Sequence, residues 1–223
     1  MKKERVSGLR ATPYVPRATL IGVVLAGGQS TRMGRDKATL PFLQGRLIDF
    51  MVTLLKESLG LSTVLVSGKC EGFSCVHDRI PGLGPVGGIY SVASTVREKA
   101  GEVWLIVVPV DMPALTSELL QVLVQAFAHE SAITPLDAIR FEGREMPFLL
   151  RLTEHVFQVL ESLCKESTRQ DTSPSSRSIK AFFNRLDFCE IDLPSSARQQ
   201  YFANLNSPDA WREFEEKCNT CNT

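Results

Sequence analysis

Leu20-Ile-Gly-Val-Val-Leu-Ala-Gly-Gly28 is an apolar, β-branched run that ends on two adjacent glycines. A strand with one wet face would alternate. Near-continuous apolarity instead suits a strand buried on both faces, as in a parallel sheet. The glycines allow positive φ and let backbone N–H groups approach an anion with no Cβ in the way. A strand running straight into such a loop is, in physical terms, a phosphate cradle.

Working outward, similar runs recur at Thr63–Val66, Phe73–Val76 and Val103–Val108, with helical patterns between them. Leu47, Ile48, Met51, Leu54, Leu55 and Leu59 repeat at three- and four-residue spacing and predict one apolar helix face. A second helix is expected from Gly87 to Arg97. A third is capped by Thr116, which brings Leu119, Leu120, Leu123, Val124 and Phe127 together. Alternating strand and helix means α/β with right-handed crossovers. After residue 130 the rhythm shortens. Strands are expected at Ala132–Thr134, Ala138–Phe141 and Met146–Leu150, with Glu142-Gly143-Arg144 as a hairpin tip. Helices follow at Glu154–Leu163 and Ser178–Asn184, separated by a Ser/Thr-rich surface loop from Lys165 to Arg177. The expected architecture is a single-domain, mostly parallel sheet flanked by helices, with a short β-rich flap. Residues 1–19 read as a basic tail, 20–217 as the domain and 218–223 as a C-terminal tail.

The chain has 223 residues, with 25 Lys+Arg against 25 Asp+Glu. That balance removes the bulk attraction on which general DNA or RNA binders rely, while leaving room for a local phosphate pocket. With 43% apolar and 22% charged residues, the chain can bury an ordinary core. No apolar run approaches the ~20 residues of a membrane span. Pro13 and Pro16 interrupt the stretch a signal peptide would need, so the expectation is against secretion. The six cysteines, including Cys218 and Cys221 as a lone C-x-x-C, are expected as reduced thiols.

Beyond Gly28, Arg32 and Lys37 follow the glycine loop. Two fixed cations beside backbone donors are what a triphosphate and its departing pyrophosphate require. The stretch is neither G-x-x-x-x-G-K-[ST] nor G-x-G-x-x-G, so P-loop hydrolysis and dinucleotide binding lose their fingerprints. Asp111 follows the run Val103–Val108, at the carboxyl edge where open α/β sheets bind ligands. A carboxylate there can hold a divalent cation, or simply cap the next turn. Asp78 precedes the glycine-rich Pro81–Gly88 stretch, which suits either backbone packing against a base or a sharp turn. Asn204 and Asn206 flank Leu205 and point to one side if the segment is extended. Ser207 and Pro208 read as the cap and first residue of a helix.

Leu25 to Lys37, L-A-G-G-x-S-x-R-M-G-x-D-K, resembles the signature of the molybdenum cofactor guanylyltransferases. Asp78–Gly88, Val108-Pro-Val-Asp-Met-Pro113 and Asn204-Leu-Asn-Ser-Pro-Asp209 agree with it in order. The resemblance implies a nucleotidyltransferase fold of Rossmann-like type and transfer of GMP from GTP to molybdopterin, with Mg²⁺ as cofactor. It implies GTP contacts at Leu25, Ala26, Gly27, Gly28, Lys37, Ser67, Asp78, Asp111, Asn204 and Asn206, with Asp111 as metal ligand. Arg32, Lys37 and Asp111 would be the catalytic groups. A phosphate monoester acceptor needs no general base to attack, which suits a chain whose three histidines lie outside these motifs. The resemblance also implies a cytoplasmic location and allows molybdoenzymes or cofactor-handling proteins as partners.

The chain departs from the pattern in places. Ser67-Gly68 stands where members often carry Asn, and Met146-Pro147 where His-Pro is common. The stretch 165–177 is longer than the pattern needs, and the basic tail has no counterpart there. The rival readings are CMP transfer to the same cofactor, whose enzymes resemble L-A-A-G at the loop, and a GTP-binding maturation module without catalysis. Sugar-phosphate nucleotidyltransferases resemble L-A-G-G-x-G-T-R-L, from which Ser30-Thr31-Arg32-Met33 differs.

Overall fold

The computed structural model describes residues 19–27, 37–69, 71–97, 101–167, 178–194, 199–202, 205, 211, 212 and 214. The opening apolar run is strand β1 (Thr19–Leu25), an interior strand, third of seven in the sheet. Its neighbours are β4 (Val64–Ser67) on one side and β6 (Val103–Pro109) on the other, both parallel to it. β5 (Cys75–Val76) extends the β4 side. Beyond β6 lie β8 (Phe148–Arg151), β7 (Ala138–Phe141) and β9 (Phe188–Ile191). β8 alone runs against the rest of the sheet: it pairs antiparallel with both β6 and β7, while β9 is parallel to β7. The strands expected as a flap are thus the far half of one continuous sheet. A two-stranded ribbon, β2 (Pro41–Phe42) and β3 (Gly45–Arg46), stands apart from it.

Helix α1 (Leu47–Leu59) carries the predicted apolar face and buries Leu47, Ile48, Met51, Val52 and Leu55. It begins where Asp49 Oδ2 accepts the Arg46 backbone N–H at 2.8 Å, while the Arg46 guanidinium grips the same carboxylate. Helix α2 (Gly84–Val96) starts earlier than expected, because Pro85 in its first turn gives up an N–H that has no helical partner there. Helix α3 (Ser117–Ile133) is capped as predicted, the Thr116 side chain accepting from Leu119 N. It overruns the strand expected at Ala132–Thr134. Its helix-favouring sequence continues to Ile133, and Thr134, preceding Pro135, turns extended as that position demands. Helix α4 (Glu154–Ser167) likewise continues through Lys165 into the stretch expected as loop, and α5 (Ile179–Phe183) is capped by Ser178.

α1 packs with α3, and α2 with α4 and α5. The chain leaves β1 toward β4 and returns to β6 on the other side of β1, so right-handed crossovers put these helix sets on opposite faces. The strand burial follows: β6 is buried along nearly its whole length. Trp104 and Phe127 meet edge to face at 4.5 Å between β6 and α3. Among the described residues no helix is long and apolar enough to cross a membrane. Cys164 is a buried free thiol. Burial, helped by the Glu161 charge, pushes the Cys164 thiol up to about 11, so it stays protonated and unreactive. Cys218 and Cys221, the basic tail and the Ser207-Pro208 cap lie outside the described residues.

Candidate active site

Three strand ends meet at the carboxyl edge of the sheet. Past β1, Ala26 N–H donates to the Ser67 carbonyl at the end of β4 (3.0 Å), and the Leu25 carbonyl accepts from Val110 N–H just past β6 (3.1 Å). The Leu25–Gly27 segment is therefore pinned from both sides by backbone bonds, whatever its side chains do. Gly68 makes the close approach possible. Its φ is +125°, and a Cβ there would stand 3.1 Å from the Gly27 nitrogen. Leu25 is buried, Ala26 half-buried and Gly27 exposed, so the chain surfaces where the predicted cradle begins.

Asp111 follows β6 and is half-buried on this edge. Its carbonyl accepts the Leu205 backbone N–H at 2.9 Å, which brings Leu205 to the same place. Asn204 and Asn206 themselves, with Gly28 and Arg32, lie outside the described residues. Lys37 opens a single turn of 3-10 helix (Lys37–Thr39), and its side chain lies outside the described part. Arg46, nine residues after Lys37, is committed elsewhere: beyond Asp49, its guanidinium reaches the Glu71 carbonyl at 3.3 Å and lies over the Phe73 ring.

Asp78 comes from the loop after β5. Its carboxylate lies beside the cradle, since a Cβ on Gly27 would be 3.8 Å from Asp78 Oδ2. Burial pushes this carboxyl above the usual range, against the pull of a hydrogen bond from the Ser67 hydroxyl and the neighbouring His77. Oδ1 is buried and has no hydrogen-bond partner among the described residues. The loop is held from α2 by Ser91, whose hydroxyl accepts Arg79 N–H at 2.9 Å and donates to the Gly87 carbonyl at 2.8 Å. The sequence reading missed Ser91; its position one turn after Gly87, facing the Asp78 loop, was the available signal. Ser67 proves almost wholly enclosed, at 1% exposure, with its hydroxyl turned to Asp78.

The structure thus gathers Leu25, Ala26, Gly27, Ser67, Asp78 and Asp111 at one edge. The geometry offers the start of a glycine loop, one carboxylate to each side, and a rigid platform of paired strands. That is a place where a phosphorylated ligand can be oriented.

A family model for the MobA-like NTP transferase domain matches residues 22–180. A molybdenum cofactor guanylyltransferase from Xanthomonas euvesicatoria pv. vesicatoria is 37% identical over 190 residues, covering 85% of this chain and 91% of that one. The crystal structure of molybdopterin-guanine dinucleotide biosynthesis protein A from Archaeoglobus fulgidus superposes with a TM-score of 0.66 at 19% identity, covering 90% of this chain and 99% of that one. A manganese complex of a Mycobacterium tuberculosis protein has a TM-score of 0.53 at 15% identity, covering 89% and 99% of the respective chains. The sheet, its glycine loop and these matches along most of the chain place it in a single group: the chain belongs to the MobA-like NTP transferase family.

Proposed function

We propose that this nucleotidyltransferase moves GMP from GTP to the phosphate of the molybdopterin (molybdenum) cofactor, forming a guanine dinucleotide cofactor and releasing pyrophosphate. The observation that carries the reading is the pinned Leu25–Gly27 loop between Asp78 and Asp111, at the edge where the L-A-G-G motif ends. The 37% identical guanylyltransferase relative supports the choice of nucleotide and acceptor. Residues 20–217 form the transferase domain in this reading, between a basic segment at 1–19 and a short tail at 218–223, and the family match over 22–180 supports its start and body. A cytoplasmic site of action, with molybdoenzymes or cofactor-handling proteins as recipients, accords with that chemistry.

Backbone amides from Gly27 onward receive the phosphates, since Ala26 N–H is held by the Ser67 carbonyl, and Lys37 and Arg32 neutralise the charge that gathers on the departing pyrophosphate. Asp78 faces the nucleoside side of the loop. Asn204 and Asn206, the sequence neighbours of the tethered Leu205, orient the reacting phosphates. An acceptor phosphate oxygen attacks the α-phosphorus in line. No side chain need remove a proton, because a phosphate monoester is already anionic at neutral pH, and the gain comes from positioning.

A divalent cation suits this donor set. Asp111 is a hard oxygen ligand, and among the described residues no group of three or more His, Cys, Asp or Glu gathers to hold a metal unaided. Such a site favours Mg²⁺, which keeps its waters and binds through one or two carboxylates plus substrate phosphates. When bound at Asp111, the ion would screen negative charge on the phosphate oxygens. The manganese complex of the structural neighbour accords with a divalent ion in this fold.

The test is direct. Purified protein with molybdopterin cofactor, Mg²⁺ and either GTP or CTP should yield the guanine dinucleotide with GTP. Preference for CTP would move the function to cytidylyl transfer, and no product with either, where a known transferase gives product, would overturn the enzymatic reading.

A further inference from the structure

Ser67 stands where the family pattern often has asparagine, and its surroundings differ from those of a ligand-contacting residue. Its side chain is enclosed, its hydroxyl donates to the Asp78 carboxylate, and α2 presses on it from behind. The fit is tight. A Cβ added to Gly88 would lie 2.4 Å from Ser67 Oγ and 3.4 Å from its Cβ, so only glycine lets the helix seat against this serine. The opposite flank of the Asp78 loop is fixed by Ser91, fully buried, through Arg79 N–H. Asp78 is therefore held on both sides. Its Oδ2 lies on the Gly27 side of the loop, while Oδ1 is enclosed and satisfied by no described group. A buried acceptor left unpaired costs about 1–3 kcal/mol, which a carboxylate kept for fold stability alone would not carry.

We infer that Ser67 is a positioning residue: it fixes the Asp78 carboxylate beside Gly27 so that the carboxylate accepts an N–H or O–H of the nucleoside, and it makes no contact with the nucleotide itself. The inference rests on the guanylyltransferase reading for the identity of that nucleoside. The Ser67–Asp78–Gly88 packing stands apart from it. In chains with a longer amide at this position the same space would be filled from β4 directly. Here the shorter hydroxyl hands the contact on to the aspartate.

A double-substitution cycle separates direct from relayed action. GTP binding to the full chain is measured by calorimetry with Mg²⁺ for Ser67→Ala, Asp78→Asn and the pair. Ser67→Ala should weaken binding about tenfold, the scale of one hydrogen bond to a charged group. Added to Asp78→Asn it should cost less than about twofold more, since the relay is already broken. An equal loss in both backgrounds, or none in the first, overturns the relay. A ¹³C NMR titration of the Asp78 carboxyl provides a readout that needs no ligand: Ser67→Ala should raise its midpoint, and an unchanged midpoint overturns the proposal. If the native chain binds no GTP while that midpoint moves, the guanylyl reading fails and the Ser67–Asp78 coupling stands.

Discussion

Leu205 N–H donates to the carbonyl of Asp111 at 2.9 Å, so the turn that presents this carboxylate is closed by a buried residue from far downstream. The two contributions of Leu205 can be separated. Leu205→Pro deletes the donor, whereas Leu205→Ala keeps the N–H and loses only packing. Misplacing a reactive group by an ångström costs up to about a hundredfold in rate. Turnover should therefore fall at least ten times further in the proline variant than in the alanine variant, with thermal midpoints compared alongside. Equal activity in the two would show that the tether is irrelevant.

Asp111→Asn should lower turnover by roughly a hundredfold or more, the usual scale for removing one charge-stabilising group. The side chain is half-buried at a loop, outside the core, so the thermal midpoint should stay within about 2 °C. Steady-state assays across a Mg²⁺ series check this, and native turnover in the variant would refute the assignment.

The Asp78 carboxyl is pushed up by burial, which fixes the sign of its linkage to stability. A carboxyl with a folded pKa above its unfolded one binds more protons when folded. Its contribution is fully present below the ordinary carboxylate value and is lost as pH rises through the raised one. Asp78→Asn removes the charge and so should raise the thermal midpoint at neutral pH, by about 2 °C, with the advantage fading on acidification toward the ordinary carboxylate range. The same variant should bind GTP more weakly. Thermal unfolding across that range checks both sign and window; a variant less stable than the native protein at neutral pH would contradict it.

Gly87→Ala sets two effects against each other. Alanine favours a helix interior over glycine by about 1 kcal/mol. Here, however, the new methyl would meet Leu83 Cβ at 2.6 Å, an atom fixed to the backbone that cannot rotate away. Overpacking of this kind costs about 1–3 kcal/mol. The expected balance is a net loss of up to about 2 kcal/mol, read as a lower urea midpoint with unchanged slope. A gain in stability would mean that the α2 entry relaxes freely.

The parallel core was legible because its signals are long. β1 and β6 are unbroken apolar runs, and Thr116 caps α3 through the interaction its side chain suggests. Short elements were harder to read. Phe188–Ile191 alternates half-buried and buried, yet four residues after a turn do not announce a strand without β7 beside them. The β2–β3 ribbon turns at Leu43, which takes a φ of 51° without a glycine or asparagine to mark it. Ala132–Thr134 resembles a strand only if the helix before it is assumed to stop. At the candidate site, motif and position single out Asp78, Asp111 and the glycine loop, and the structure brings Asp78, Asp111 and Gly27 to one sheet edge. The enclosure of Ser67 was not, because it arises from Gly88 on a helix that a linear reading places only as a neighbour in the chain.

The single reversed strand has a geometrical consequence. Because β8 runs opposite to β6, it begins where β6 ends, so Met146-Pro147 and Phe148 enter the same rim as the Leu25–Gly27 loop and Asp111. Adjacent strands sit about 4.8 Å apart, and the rim from β1 across β6 to β8 therefore spans roughly 10 Å of continuous hydrogen-bonded backbone. Two ligands laid along that rim would have their separation set by the pitch of the sheet, as by the teeth of a comb, with no hinge required to bring them into range.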